Sequence, residues 1–351
     1  FARENGGTGR RVRLRGVWDS HVGSSPISRT RMKMKLAIRS PVFLYVVFNN
    51  EISFFFLLIL HENRYDIVSK KWRKGMSRAD QIFIQNCQEI LTEGVWDTNC
   101  KVRPHWEDGT PAHTIKKFGI VNRYNLQEEL PILTIRKTAF RNCLDEILWI
   151  WQKKSNNVHD LHSHIWDAWA DETGSIGKAY GYQLAKKSIY PEGEFDQVDR
   201  VLFDLKNNPA SRRILTNIYN FDDLHDMHLY PCAYSMTFNV SGDTLNGILN
   251  QRSNDMLTAN NWNVLQYSLL LMMFAQVSDL KAGTLIHVIS DAHLYDRHID
   301  LVKEVMQKPQ HPAPKLKMDT SIKNFYDFTV DSFELEDYEF EKLGKKIPVA
   351  I

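Results

Sequence analysis

The stretch Pro231-Cys232-Ala233-Tyr234-Ser235-Met236-Thr237-Phe238-Asn239-Val240-Ser241-Gly242-Asp243-Thr244-Leu245-Asn246-Gly247-Ile248-Leu249-Asn250-Gln251-Arg252-Ser253 decides how the middle of the chain folds. Tyr234, Met236, Phe238 and Val240 alternate with other residues at the period of a half-buried strand. Ser241-Gly242-Asp243 then turns the chain into the run Leu245 to Leu249. The segment reads as a β-hairpin. Antiparallel pairing brings Cys232, at the start of one strand, to Arg252-Ser253, at the end of the other. A thiol attacks only as thiolate, and a nearby guanidinium lowers its pKa from about 8.5. In isolation Cys232 would be an inert buried cysteine. With Pro231 before it and Arg252 across the hairpin, it reads as a nucleophile beside an anion-binding arginine.

Outward from the hairpin, Val264 to Val277 is almost continuously apolar and long enough for a buried helix, with Met272 and Met273 as core filling. Leu285 to Ile289 reads as a buried strand ending at Ser290-Asp291, so that His293 and Tyr295 emerge at a strand edge. Residues 137 to 154 carry an apolar helical face of Ala139, Phe140, Cys143, Leu144, Ile147, Leu148 and Trp151, with Glu146 on or beside it. A carboxylate there is costly unless paired, so Glu146 is either an ion-pair member or an acid with a raised pKa. Trp166 and Trp169, three residues apart, share a helical face as core residues or as a floor for a flat ring. His159, His162 and His164 lack a zinc-site frame and read as a solvated loop. Arg212-Arg213 follows the turn Asn208-Pro209-Ala210-Ser211 and suits phosphate, although an exposed basic pair is the plainer reading.

The chain has 351 residues with 43% hydrophobic content, enough for a large core. No repeat or Gly/Pro-rich linker divides residues 76 to 351, which read as one α+β domain. Four sparse cysteines fit a reducing cytoplasm rather than a disulfide scaffold. Residues 1 to 75 hold 15 Lys+Arg against 5 Asp+Glu, net +10, whereas residues 76 to 351 are net −8. The apolar patch from Val42 to Leu60 is interrupted at Asn49, Asn50 and Glu51, too early for the roughly 20 residues of a membrane helix. A signal-peptide cleavage pattern is missing as well. Met76-Ser77-Arg78-Ala79-Asp80 opens an amphipathic stretch and resembles a natural start. Residues 1 to 75 are therefore expected to be a non-native or mostly disordered basic extension, with a nucleic-acid-binding arm as the rival.

Further motifs are Glu146-Ile147-Leu148-Trp149, the segment His164 to Glu172, the loop Gly177 to Gln183, Ser211-Arg212-Arg213, Gln251 to Asp255, Asn260-Asn261-Trp262-Asn263, Asp291-Ala292-His293-Leu294-Tyr295 and Pro348-Val349-Ala350-Ile351. In this order, with Pro231-Cys232, they resemble the thymidylate synthase family from about Met76 to Ile351. The chain departs from the family at Ala233, where His is common, at Ala259 to Trp262, in place of glycine, a variable residue, proline and phenylalanine, and at Ser290, in place of glycine. The family's N-terminal phosphate arginine has no clear counterpart; Arg103 is the candidate.

The resemblance implies an α+β fold whose mixed β-sheet is packed by helices and whose homodimer forms sheet to sheet. It implies reductive methylation of dUMP to dTMP with 5,10-methylenetetrahydrofolate and no catalytic metal. Cys232, Glu146, Tyr180 and Asp291 would serve catalysis. Arg212, Arg213, Gln251, Arg252, Ser253, Asn263, His293 and Tyr295 would bind dUMP, with Arg212 and Arg213 crossing to the other subunit. Trp166, Trp169, Asp255 and Ala350 would bind folate. The amide of Asn263 suits the O4/N3-H edge of uracil, whereas a carboxylate would suit cytosine. A hydroxymethylase that quenches the exocyclic methylene with water is the nearest alternative, and an RNA-binding regulator built on the basic prefix is the rival from another class.

Overall fold

The computed structural model describes residues 75–351 together with the two short strands β1 (Val47–Phe48) and β2 (Glu51–Ile52), which pair antiparallel. The chain divides into two units, Phe1–Asp66 and Ile67–Ile351. The expectation of disorder in residues 1 to 75 falls, apart from those strands and Gly75, outside the described residues.

In the second unit, α1 (Arg78–Glu93) buries Ala79, Ile82, Phe83, Cys87 and Ile90 along one face. Asp80 in its first turn is also buried, and accepts from the Thr134 N–H at 2.8 Å and the Ile135 N–H at 3.3 Å. That contact ties the helix to the segment entering α2 (Phe140–Trp151). There the chain departs from the one-faced helix that the spacing predicts: every residue from Cys143 to Trp151 is buried. The helix is wrapped on all sides, which places Glu146 inside the protein rather than at the edge of an apolar stripe.

The sheet runs in the order β3 (Val95–Trp96), β4 (Thr114–Asn125), β11 (Lys281–Tyr295), β9 (Thr244–Gln251), β8 (Ala233–Ser241) and β7 (Leu215–Asn217), with β10 (Asn254–Asp255) also on β11. It is mixed, because β11 is parallel to β9 and β10 but antiparallel to β4. The hairpin of β8 and β9 forms as expected, with Ala233 opposite Gln251 at its open end. α5 (Asn261–Val277) packs on the sheet and is buried along most of its length, as its apolar run requires. The smaller elements α3 (Gly181–Ala185), β5 (Ser188–Tyr190), β6 (Gly193–Phe195), α4 (Gln197–Asn207), α6 (Ile299–Met306), β12 (Lys315–Met318) and β13 (Phe333–Glu336) complete the α+β domain. Among the described residues, no helix is long and apolar enough to cross a membrane.

Two local expectations need correction. The strand expected to end at Ile289 continues to Tyr295, because β4 stays paired with it as far as Tyr295 opposite Thr114, and β10 takes over from β9 on its other side. Asp291, His293 and Tyr295 therefore lie inside a central strand, not beyond its edge. Trp166 and Trp169 do not share an α-helical face. Trp166 precedes and Trp169 ends a single 3₁₀ turn, Asp167–Trp169, and the two still meet, ring centroids 5.7 Å apart.

Candidate active site

Cys232 directly precedes β8 and Arg252 directly follows β9, so the strand register alone brings them together. The Arg252 N–H donates to the Cys232 carbonyl at 3.0 Å. Its guanidinium donates to the carbonyls of Pro231 at 3.0 Å and Tyr230 at 2.8 Å, and its Nη2 lies 3.7 Å from Cys232 Sγ. One electrostatic expectation is reversed: burial pushes the Cys232 thiol up further than Arg252 and Arg103 pull it down. The exposed Arg103 is nonetheless within electrostatic reach of both Cys232 and Tyr295, which supports the candidate the sequence left open.

Tyr180 reaches the nucleophile from the loop Gly177 to Gln183. Its hydroxyl accepts the Cys232 N–H at 3.3 Å, and its ring packs edge-on against Trp166 at 4.8 Å. The residue has φ +46°, a left-handed conformation that costs an L-residue energy and persists only where its surroundings impose it. Gly177 tightens the start of the same loop, since a Cβ there would sit 1.9 Å from the Asp226 carbonyl.

Glu146 is buried with neutral donors around it. Trp262 Nε1 donates to Oε2 at 2.7 Å, and Gln266 and Trp166 also hydrogen-bond to the carboxyl. Burial raises its pKa to about 7, and these donors only moderate the rise. The raised-pKa alternative of the sequence reading is the one realised. Asn263, half-buried, sits between Gln251 and Gln266, accepting from the first at 2.9 Å and donating to the second at 3.3 Å.

Asp255 opens the π-turn Met256–Asn260, accepting from the N–H groups of Leu257 at 2.9 Å and Thr258 at 3.3 Å. His298 lies 3.6 Å from its carboxylate. Burial pushes Asp255 up, but His298, His293 and the Thr258 hydroxyl outweigh it and hold the group below the usual carboxylate range. His298 Nε2 is bonded to the Pro348 carbonyl at 2.8 Å, while Ile351 exchanges two backbone bonds with His105 at 2.8 and 3.0 Å. The C-terminal tail carrying Ala350 is thereby docked next to Asp255. Within β11, Asp291 bonds His293 at 2.8 Å and pairs with Lys116 at 3.3 Å. His293 and Tyr295 stack edge-on at 5.3 Å.

Not every expected residue joins this group. Arg212 and Arg213 are exposed, and among the described residues no hydrogen bond or ion pair links either guanidinium to the Cys232 pocket. Ser253 lies half-buried between β9 and β10. His162 is paired with Asp145 at 2.9 Å and His164 with Asp167 at 3.0 Å, and among the described residues no cluster of three or more ligating side chains could hold a metal. The sequence reading missed Arg136, a largely enclosed guanidinium that interacts with Asp255 and whose Nε has no partner. No signal in the sequence marks it, because an arginine ahead of a helix is ordinarily exposed and its enclosure is set by the whole fold.

A sequence model described as thymidylate synthase matches residues 81–351. The thymidylate synthase of Bacillus licheniformis is 46% identical over 280 residues, covering 78% of this chain and 100% of that protein. The thymidylate synthase of Bacillus phage phi3T is 44% identical over 269 residues, covering 75% of this chain and 96% of the phage protein. The solved structure of the thermostable thymidylate synthase A from Bacillus subtilis superposes with a TM-score of 0.75 at 42% identity, covering 78% of this chain and 99% of that one. Together with the Cys232, Arg252 and Glu146 geometry, these likenesses establish that the chain belongs to the thymidylate synthase family.

Proposed function

We propose that Cys232 is the nucleophile through which this enzyme performs its family's reaction. As a member of that family it is a methyltransferase that converts dUMP to dTMP, with 5,10-methylenetetrahydrofolate supplying both the one-carbon unit and the hydride, and dihydrofolate as the second product. The observation that carries the residue assignment is the approach of Arg252 Nη2 to within 3.7 Å of Cys232 Sγ. Burial holds the thiol up, and the positive charge of Arg252 and Arg103 is what favours the thiolate form that attacks. Attack of the thiolate on C6 of the uracil moves electron density onto C5, which becomes the carbon nucleophile. No fact about the chain favours the water-quenched hydroxymethylase outcome.

The remaining roles are those the family resemblance implies for residues that lie around Cys232 and Asp255. Gln251 and Asn263 take the uracil edge, Glu146 handles protons and water near O4, and Tyr180, beside the nucleophile, assists departure of the C5 proton. His293 and Tyr295 bind the deoxyribose hydroxyl, with Asp291 orienting His293. Asp255 accepts from the pterin, Trp166 and Trp169 flank it, and Ala350 closes over it on the docked tail. Arg252, Ser253 and Arg103 contribute to the phosphate site.

The phosphate site is completed by a second copy of the chain. Leu215, Ile248 and Val121 lie exposed on the side of the sheet away from the core, an apolar face that a homodimer would cover. A hollow of 260 Å³ lined by Asn217, Tyr219, Phe221, Tyr234, Arg252 and Ser290 is where Arg212 and Arg213 of the partner subunit would enter. Residues 76–351 form the catalytic domain, and the free thiol chemistry suits the cytoplasm. The test is covalent capture with 5-fluoro-dUMP and the folate, followed by peptide mass analysis. The adduct is expected on the Cys232 peptide, and Cys232→Ala should lower kcat by four orders of magnitude or more, on the order seen for deleted nucleophiles. An adduct on another peptide, or a fully active variant, would overturn the assignment. Mixing Cys232→Ala with the Arg212→Ala, Arg213→Ala double variant should regain activity if the site is shared between subunits.

A further inference from the structure

Behind Asn263 runs a line of amide and imidazole groups whose hydrogen-bond direction is fixed at both ends. At one end Gln266 Nε2 donates to the Cys143 carbonyl at 3.4 Å, and a backbone carbonyl can only accept. Gln266 therefore turns Oε1 toward Asn263, which donates to it from Nδ2 at 3.3 Å. Asn263 Oδ1 is left facing Gln251 and accepts from its Nε2 at 2.9 Å. Gln251 Oε1 then faces His287 Nε2 at 2.7 Å, so the proton of that bond belongs to His287. At this other end the imidazole is fully buried and its Nδ1 has no partner. Burial holds its pKa down to about 3, so the ring is neutral with one proton, and a bare Nδ1 is the cheaper group to leave unpartnered.

This arrangement bears on what Asn263 presents to a nucleotide. Each of its polar atoms has one contact in the line and one valence left over: a second Nδ2–H and a second Oδ1 lone pair. Rotating the amide by half a turn would offer the swapped pattern, which suits cytosine. It would also set Asn263 Oδ1 against Gln266 Oε1 and Asn263 Nδ2 against Gln251 Nε2, two repulsive contacts in a buried setting. Gln251 would escape its clash by rotating too, unless its own oxygen is held by the His287 proton. We propose that His287, acting through Gln251, is the positioning residue that locks Asn263 against rotation and so makes the enzyme reject cytosine nucleotides. This rests on Asn263 meeting the base, as proposed above.

The test compares the competitive inhibition constant of dCMP with the binding of dUMP in His287→Phe, His287→Gln and Asn263→Asp. His287→Phe, which keeps the volume and loses the donor, is expected to narrow the preference for dUMP by about tenfold. His287→Gln supplies an N–H in its place and should restore most of it. An unchanged preference in His287→Phe, while Asn263→Asp alters it, overturns the role of His287 alone; an unchanged preference in Asn263→Asp overturns the base contact itself. Should His287→Phe fail to fold, ¹⁵N imidazole spectra of the wild-type enzyme decide. Protonated Nε2 and bare Nδ1, constant from about pH 5.5 to 8.5, support the proposal, and an Nδ1–H or a titrating ring refutes it.

Discussion

Glu146 on α2 and Asp255 on β10 are both largely buried carboxylates of one site, and their surroundings drive them apart. Burial raises each. Around Glu146 the donors are neutral, two indoles and an amide, and the pKa stays up at about 7. Around Asp255, His298 and the Thr258 hydroxyl hydrogen-bond to the carboxylate, His293 acts on it electrostatically, and the group falls below its ordinary value. Neutral donors moderate desolvation, whereas the hydrogen bonds and electrostatic pull of nearby imidazoles reverse it. The consequence is a division of labour. On the roles proposed above, Glu146 would exchange protons at neutral pH, whereas Asp255 would stay an anion that accepts from a ligand.

The largest test of that division is Glu146→Gln, which keeps shape and removes the proton. We expect kcat to fall by about 10²–10⁴, the range for losing a general acid or base, with the inflection near pH 7 gone from the pH–rate profile. Stability should move the other way. Because the folded pKa of about 7 exceeds the ordinary 4.5, the protein keeps its full stability below the lower value and loses it as pH rises through the upper one. That gap corresponds to about 3 kcal/mol. Above about pH 8, Glu146→Gln should therefore withstand more urea than the wild type, with the advantage fading below about pH 5. Equal urea midpoints across this range would show that Glu146 carries no burial penalty.

Trp262→Phe sharpens the comparison at one atom. It removes the indole N–H that lies 2.7 Å from Glu146 Oε2 while leaving an aromatic ring in place. Loss of a donor that favours the charged form moves the inflection of kcat upward, by about half to one pH unit, and lowers kcat at pH 7 severalfold. An inflection that stays where it was would mean that the indole packs beside Glu146 without influencing its proton.

How much of this was readable in the sequence depends on how local each cause is. The meeting of Cys232 and Arg252 was legible because alternation and a tight turn fix a hairpin's register, although Ser241, read as part of the turn, pairs with Thr244 and leaves only Gly242-Asp243 as the loop. The length of β11 was not, because Ala292, His293 and Leu294 are all buried and break the alternation, while the pairing that extends the strand comes from β4, far away in the chain. The direction of the Cys232 shift was misread for a similar reason: the guanidinium is near in sequence, but burial is set by the whole fold. His287 lay unremarked inside the run read as a buried strand, and only its bond to Gln251 connects it to Asn263. The buried carboxylate on α2 was visible, yet its partner Trp262 was noticed only as a departure from the family's usual residue.

The smallest expected effect belongs to Thr258→Val on the Asp255 side. The Thr258 hydroxyl donates to Asp255 Oδ2 at 2.5 Å, and valine removes that donor with little change in shape. His298 and two backbone N–H groups remain, so the carboxylate should stay ionised and stability should drop by about 1 kcal/mol. The KM for the folate should rise by about two- to fivefold, the cost of one loosened hydrogen bond to an acceptor that still binds. Because the folded pKa of Asp255 is depressed, the stability it contributes is present above the ordinary 3.8 and lost as pH falls through the folded value. The Thr258→Val deficit should accordingly persist at neutral pH and vanish on acidification, with the neutral inflection of kcat unmoved. A shift of that inflection by a change on the Asp255 side would mean that the two carboxylates titrate as one coupled system, and the separation of their roles would fail.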